Sequence, residues 1–222
     1  MKRTVLFFLI IITADFFAQF GVTAQGGAYF PVGEFSNTYK AAGYGGEITF
    51  NFIENSSMEI GLTTGYSRFE ADEDALKNLL AEPLSQGGSK DEPLITLDLE
   101  APVQIYPLAL TIKYLLKGRK WKPFFAFDAG MFFYDLTPKG TLRIGDETFD
   151  LPAEVEKEHS TMLALSFGTK YKINRKFYLV GDVKWSIYNN IKKLEADVDE
   201  KIKSIDKTVQ TIGVLVGVNY NF

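Results

Sequence analysis

The last twelve residues, TIGVLVGVNYNF (Thr211–Phe222), alternate without a break. Ile212, Val214, Val216, Val218, Tyr220 and Phe222 form one set, all apolar. Thr211, Gly213, Leu215, Gly217, Asn219 and Asn221 form the other, mostly small or polar. A period of two is a β-strand with a different environment on each face. A strand running to the final residue must be paired on both sides or stand as a bare edge. A closed barrel removes the edge. In a small barrel set in a bilayer, the apolar face turns out to lipid.

The rest of the chain repeats the pattern. Strand-like stretches fall at 25–32, 41–53, 57–69, 103–117, 122–136, 160–173, 176–190 and 208–222. In the third, Met58, Ile60, Leu62, Thr64 and Tyr66 alternate with Glu59, Gly61, Thr63, Gly65 and Ser67. In the seventh, Phe177, Leu179, Val183, Trp185 and Ile187 alternate with Tyr178, Asp182, Lys184 and Ser186. Each stretch is long enough to cross a bilayer at a tilt, which takes about 9–11 residues. The connections after the second, fourth and sixth stretches are short: IENSS, GRKWK and NRK. Those after the first, third, fifth and seventh are longer: 32–40, 70–102, 137–159 and 191–207. This short–long alternation predicts an all-β, eight-stranded antiparallel up-and-down transmembrane barrel, with short periplasmic turns and long outer loops. A soluble barrel would hide its apolar faces inside and needs no such asymmetry.

Composition agrees. Of 222 residues, 14% are aromatic, 19 are Gly and none is Cys. Disulfides, thiolate metal sites and a cysteine nucleophile are thereby excluded. The formal charge of -4 argues against a nucleic-acid partner. A mean hydropathy of -0.03 excludes a helical membrane bundle and says nothing against a barrel. At the N-terminus, Lys2 and Arg3 precede a short apolar run, Thr4 to Thr13, and Val22-Thr23-Ala24 offers a small-x-Ala cleavage pattern. The run is too short for a transmembrane helix of about 20 residues. The expected organisation is a cleaved signal peptide over 1–24 and a barrel domain over 25–222.

These features carry a resemblance. The signal peptide, GGAYFPVGEFS, QIYPLALTIKYLL, WKPFFAFDAGMFF and the terminal GVNYNF look like the small outer-membrane β-barrel family, the eight-stranded group similar to OmpX and to the membrane domain of OmpA, and in particular its porin-family "outer membrane protein beta-barrel" branch. The resemblance implies residence in the outer membrane of a Gram-negative bacterium, as a monomer among lipid and lipopolysaccharide. It implies handling by the barrel-assembly machinery, with Tyr220 and Phe222 in the assembly signal that machinery reads. It does not settle function, because the family hosts adhesins, defence proteins, narrow channels and a few enzymes.

Residues able to carry chemistry are few. His159 is the only histidine and sits beside Ser160. Neighbours in a strand face opposite sides, so the two do not form a nucleophile–base pair, and a lipid-modifying enzyme is the least favoured reading. No zinc spacing, phosphate loop, dinucleotide fingerprint or EF-hand is present, and no cofactor is expected. The inward-facing charges say more: Glu47, Glu59, Asp128 and Asp182 with Lys113, Lys170, Lys172 and Lys184. An eight-stranded barrel is just wide enough for side chains to fill. Buried charges are costly unless paired, so these are expected to form a charge network that plugs the lumen. A narrow channel through the same residues is the alternative.

The outer connections carry their own patterns. DEDALKNLLAEPL has Asp72 as a candidate N-cap and Leu76, Leu79 and Leu80 at helical spacing. TLRIGDETFDL reads as a hairpin over Gly145-Asp146. LITLDLE, 94–100, reads as an outward extension of the fourth strand past a kink at Ala101-Pro102. The 70–92 loop is acidic and could meet lipopolysaccharide through divalent cations, though solvation explains it equally. The expected role is therefore non-enzymatic, structural or interactive, performed by the outer loops.

Overall fold

Eleven strands follow one another in a computed structural model, which describes residues 20–72, 95–100, 102–136, 139–144, 147–151, 156–196 and 202–222. They are β1 (Gly21–Val32), β2 (Gly43–Glu54), β3 (Met58–Phe69), β4 (Ile95–Glu100), β5 (Val103–Leu115), β6 (Trp121–Leu136), β7 (Lys139–Ile144), β8 (Glu147–Leu151), β9 (Glu156–Lys172), β10 (Phe177–Ala196) and β11 (Ile202–Asn221). Eight of them close a barrel in the order β1-β11-β10-β9-β6-β5-β3-β2. Every neighbouring pair is antiparallel, and β1 meets β2 to complete the ring. The fold class and all eight expected strands are therefore present.

The terminal strand has the surroundings its pattern demanded. β11 pairs with β10 on one side and β1 on the other, down to Asn221 opposite Gly21. Val214, Val216 and Val218 are exposed, whereas Leu215 is fully buried. The strand limits differ from expectation mainly at two places. β1 begins at Gly21, ahead of the expected residue 25. β10 and β11 run to Ala196 and back from Ile202. β9 leaves β10 at Tyr188, so beyond that point β10 and β11 continue as a free two-stranded ribbon, after a bulge between Tyr188 and Ile191.

The remaining strands form a separate sheet, β4-β7-β8. Glu100 pairs with Lys139 as Val103 pairs with Leu136, so β4/β7 and β5/β6 share one register on either side of Pro102. A proline lacks the N–H that a continuous ladder needs, which is why the long hairpin breaks there. The expected outward extension of the fourth barrel strand is thus β4. The expected hairpin over Gly145-Asp146 is β7–β8, which opens from the Ile144↔Glu147 pair. The leucine-rich stretch of the third connection lies outside the described residues.

The outer wall of the barrel is apolar. Leu108, Leu110, Ile112, Phe127, Leu165, Val183 and Val216 are among its exposed side chains. Aromatic residues stand at both ends of this band. Near the short turns, Trp121 lies against Tyr171 at 4.7 Å, Phe177 against Tyr220 at 4.9 Å, and Tyr220 against Phe222 at 5.0 Å. At the other end, Tyr66 meets Tyr106 at 5.5 Å and Phe133 meets His159 at 6.0 Å. On β5, Tyr106 and Tyr114 are about 27 Å apart along the strand, or about 20 Å of depth at a tilt near 40°, close to the apolar band of a transmembrane barrel.

Candidate functional site: the filled lumen

Inward-facing side chains fill the barrel in three layers. The layer nearest the short turns is ionic. Lys170 (β9) donates to Glu59 (β3) at 2.5 Å and to Glu54 (β2) at 3.2 Å. Lys113 (β5) lies 3.4 Å from the second Glu59 oxygen. Asn221 Nδ2 donates to Glu54 Oε1 at 2.6 Å, so the last strand is tied into the same cluster. Two rings back the cations: Phe124 lies 4.5 Å from Lys113 Nζ, and Tyr178 lies 5.1 Å from Lys170 Nζ. A ring face attracts a cation more strongly when both are removed from water.

Above it, Lys184 (β10) joins Asp128 (β6), at 2.8 Å, to Glu47 (β2). The Tyr29 hydroxyl donates to the other Glu47 oxygen at 3.2 Å. Gly45 and Gly213 flank this tyrosine: a Cβ at either would approach its ring to 3.0 Å, so the ring lies where side chains are absent. Hydroxyls link three neighbouring strands along the wall at a similar level, from Thr49 (β2) to Thr63 (β3) at 2.8 Å and from Thr63 to Thr111 (β5) at 2.5 Å.

The outermost layer is apolar. Phe69, Val103, Ile105, Phe132, Tyr134, Leu136, Met162, Tyr188 and Val209 are all buried in it, with Tyr29 and Leu215 beneath. Phe132 packs edge-on against Tyr188 at 5.0 Å and stacks on Tyr134 at 5.9 Å. The first connection closes the layer from above. Gly33 turns the chain at a φ of 68°, a conformation that favours glycine, and a short 3-10 helix follows over Gly33–Asn37. That turn lowers Phe35 onto Phe69, 5.2 Å away, with the Tyr39 ring tilted against Phe35 at 4.4 Å.

Six of the eight expected charges lie in these ionic layers: Glu47, Glu59, Lys113, Asp128, Lys170 and Lys184. Asp182 is half-buried and accepts from Gln25 at 3.3 Å instead of from a lysine. Lys172 is half-buried at the turn end and makes no ion pair among the described residues. Glu54 was missed. Glu47, Thr49 and Asn51 are buried at odd positions, but a bulge between Asn51 and Ile53 shifts the phase, so the even-numbered Glu54 also faces inward. The apolar outer layer was missed as well. His159 is exposed at the outer aromatic ring. No cluster of His, Cys, Asp or Glu among the described residues could hold a metal ion.

A closed eight-stranded antiparallel ring, an apolar outer wall between two aromatic girdles and a lumen filled from end to end form a known combination. The fold is that of the small outer-membrane β-barrels. The chain is similar to the crystal structure of Neisserial surface protein A, with a TM-score of 0.54 and 12% identity over 91% of this chain and 97% of that one. It is also similar to the outer membrane protein OprG of Pseudomonas aeruginosa, with a TM-score of 0.51 and 13% identity over 92% and 96% of the two chains. The outer membrane protease OmpT of Escherichia coli matches with a TM-score of 0.42 and 9% identity over 95% and 98%. No protein-family model and no curated protein sequence matches. At these identities, what is shared with the small barrels is the fold.

Proposed function

We propose that the protein is an exported, monomeric, non-enzymatic barrel of a Gram-negative outer membrane, with a closed lumen, and that its work is done by the segments beyond the outer aromatic ring. One observation carries this reading: the outer half of the lumen is packed with large buried side chains, Phe69, Ile105, Phe132, Tyr134 and Tyr188 among them, that obstruct the path of a passing solute. Ions crossing such a layer would lose their hydration without replacement. The ionic layers below serve as internal struts, with Lys170 and Lys184 each joining strands that are not neighbours in the ring and Lys113 bracing β5 against the adjacent β3.

The outer extensions are ordered sheet. Cross-strand register places Ile95, Leu97, Leu99, Leu142, Ile144, Phe149 and Leu151, with Gly140 and Glu147, at positions of one face of β4-β7-β8. Thr96, Asp98, Lys139, Arg143 and Asp150 belong to positions of the other. A two-faced sheet held outside the membrane suits contact with a partner, such as lipopolysaccharide, matrix or a host protein.

The test is a pair of measurements on refolded protein. In a planar bilayer it is expected to add no steps above the bare-membrane current, and binding to lipopolysaccharide or surface proteins is expected to fall when β4, β7 and β8 are replaced by a short linker. Steady single-channel steps would overturn the closed-lumen reading in favour of a narrow channel.

A further inference from the structure

The sequence alone offers Ala24 as the last residue of the export leader, yet β1 already begins at Gly21. Gly21 to Ala24 pair on both sides, with Asn51 to Ile48 of β2 and with Asn221 to Val218 of β11. The Thr23 hydroxyl is buried and accepts from two side-chain amides, Asn219 at 3.0 Å and Asn51 at 3.4 Å. One residue earlier still, the Phe20 carbonyl accepts from the N–H of Phe222 at 2.9 Å.

Cleavage behind Ala24 would remove all of this. β2 and β11 would each lose their partner over four residues, at the seam where the ring closes. Gly21 and Val22 lie at the level of the aromatic ring, but Thr23 and Ala24 lie deeper, opposite Asn219 and Val218, where backbone groups in a bilayer find no water to replace a lost partner. The amides of Asn51 and Asn219 would lose their shared acceptor.

We infer that the leader is cut ahead of Phe20, at the Ala18–Gln19 bond, so that Gly21 to Ala24 remain in the mature barrel. Ala18 is the nearest small residue upstream of the strand, as the position before the cut requires. The residue two before it, Phe16, is larger than the usual pattern, and on that count Val22-Thr23-Ala24 reads better. The pairing of β1 outweighs it. The step is hydrolysis by a leader peptidase of the exporting cell: water adds across the C–N bond, leaving a carboxylate on Ala18 and a free amine on Gln19.

The experiment uses the full chain, expressed with its leader and recovered from outer membranes, its N-terminus read by intact mass. The expected start is Gln19. Ala24 is exposed on the lipid-facing side, so Ala24→Leu is compatible with the finished barrel while making Ala24 unfit for the cut. Processing is expected to be unchanged in Ala24→Leu and to stall as precursor in Ala18→Leu. A start at Gln25, or precursor accumulating in Ala24→Leu but not in Ala18→Leu, would overturn the assignment alone. A chain that keeps Met1 would overturn it together with the reading of the protein as exported, on which it rests.

Discussion

Lys184 Nζ lies 2.8 Å from Asp128 Oδ2, and the same ammonium reaches Glu47 on the far side of the lumen. One side chain on β10 thereby holds β6 and β2, neither of which is its neighbour in the ring. Backbone hydrogen bonds fix each strand only to the strands beside it. The ion pairs fix the shape of the cross-section.

Lys184→Met therefore leaves Glu47 and Asp128 facing each other without their cation. Loss of one partner of a buried pair typically costs about 3–5 kcal/mol. Urea unfolding in lipid vesicles is expected to show a loss of that order. Adding Glu47→Gln to the variant is expected to recover part of it, as the signature of direct coupling. An unchanged midpoint in Lys184→Met would mean that water already solvates the acids.

The apolar layer answers to a different substitution. Phe132 is fully buried between Tyr134 and Tyr188. Phe132→Ala leaves a cavity in a packed interior and is expected to cost about 3–5 kcal/mol in the same assay. Lys184→Met/Phe132→Ala is expected to lose nearly the sum of the two, because Lys184 bonds Glu47 and Asp128 whereas Phe132 packs on Tyr134 and Tyr188, although Tyr29 touches both layers.

Outside the membrane, Lys40 donates to Glu70 at 3.0 Å and joins the first connection to the end of β3. That hydrogen bond, and the charge behind it, hold the Glu70 carboxyl below its ordinary range. A depressed carboxylate stabilises the fold above its unfolded pKa, and the contribution fades as pH falls through the folded value. Both side chains are about half exposed, so solvent screens the pair and the stability change is small. Lys40→Met is expected to raise the Glu70 titration midpoint seen by NMR while barely moving the urea midpoint at neutral pH. A midpoint that does not rise would remove the pair.

Orientation is testable by insertion. An epitope after Gly87, in the long third connection, is expected to be labelled on intact cells. One between Asn174 and Arg175, in a short turn, is expected to be labelled only after the outer membrane is opened. The reverse pattern would invert the barrel.

The strands were legible because a thin wall between two unlike media forces a period of two on every crossing. The lumen was legible only where it is ionic. On β6, Phe124, Phe132 and Tyr134 face inward while Phe125, Phe127 and Phe133 face outward. A packed aromatic interior and a lipid surface favour the same side chains, so alternation disappears where the plug is apolar. Glu54 was hidden by a bulge, which no residue type announces. Val22-Thr23-Ala24 fits a cleavage pattern and a strand equally well, and in the structure it pairs on both sides.

The terminal strand provides the sharpest test of the membrane face. Val216 is 67% exposed, midway along the outer wall, and pairs with Gly26 and Gly181, which shield it with no side chain of their own. Tyr220 belongs to the aromatic ring near the short turns, between Phe177 and Phe222. An arginine facing lipid at mid-depth costs roughly 2–4 kcal/mol, against about 0–1 kcal/mol near the interface. At the interface a long side chain also reaches the headgroups with its charge. Val216→Arg is therefore expected to unfold at clearly lower urea than Tyr220→Arg in the same vesicles. In water an exposed valine replaced by arginine would cost almost nothing at either position. Equal and small losses would place this face in solvent and refute the membrane barrel, while the predicted difference requires hydrocarbon around Val216.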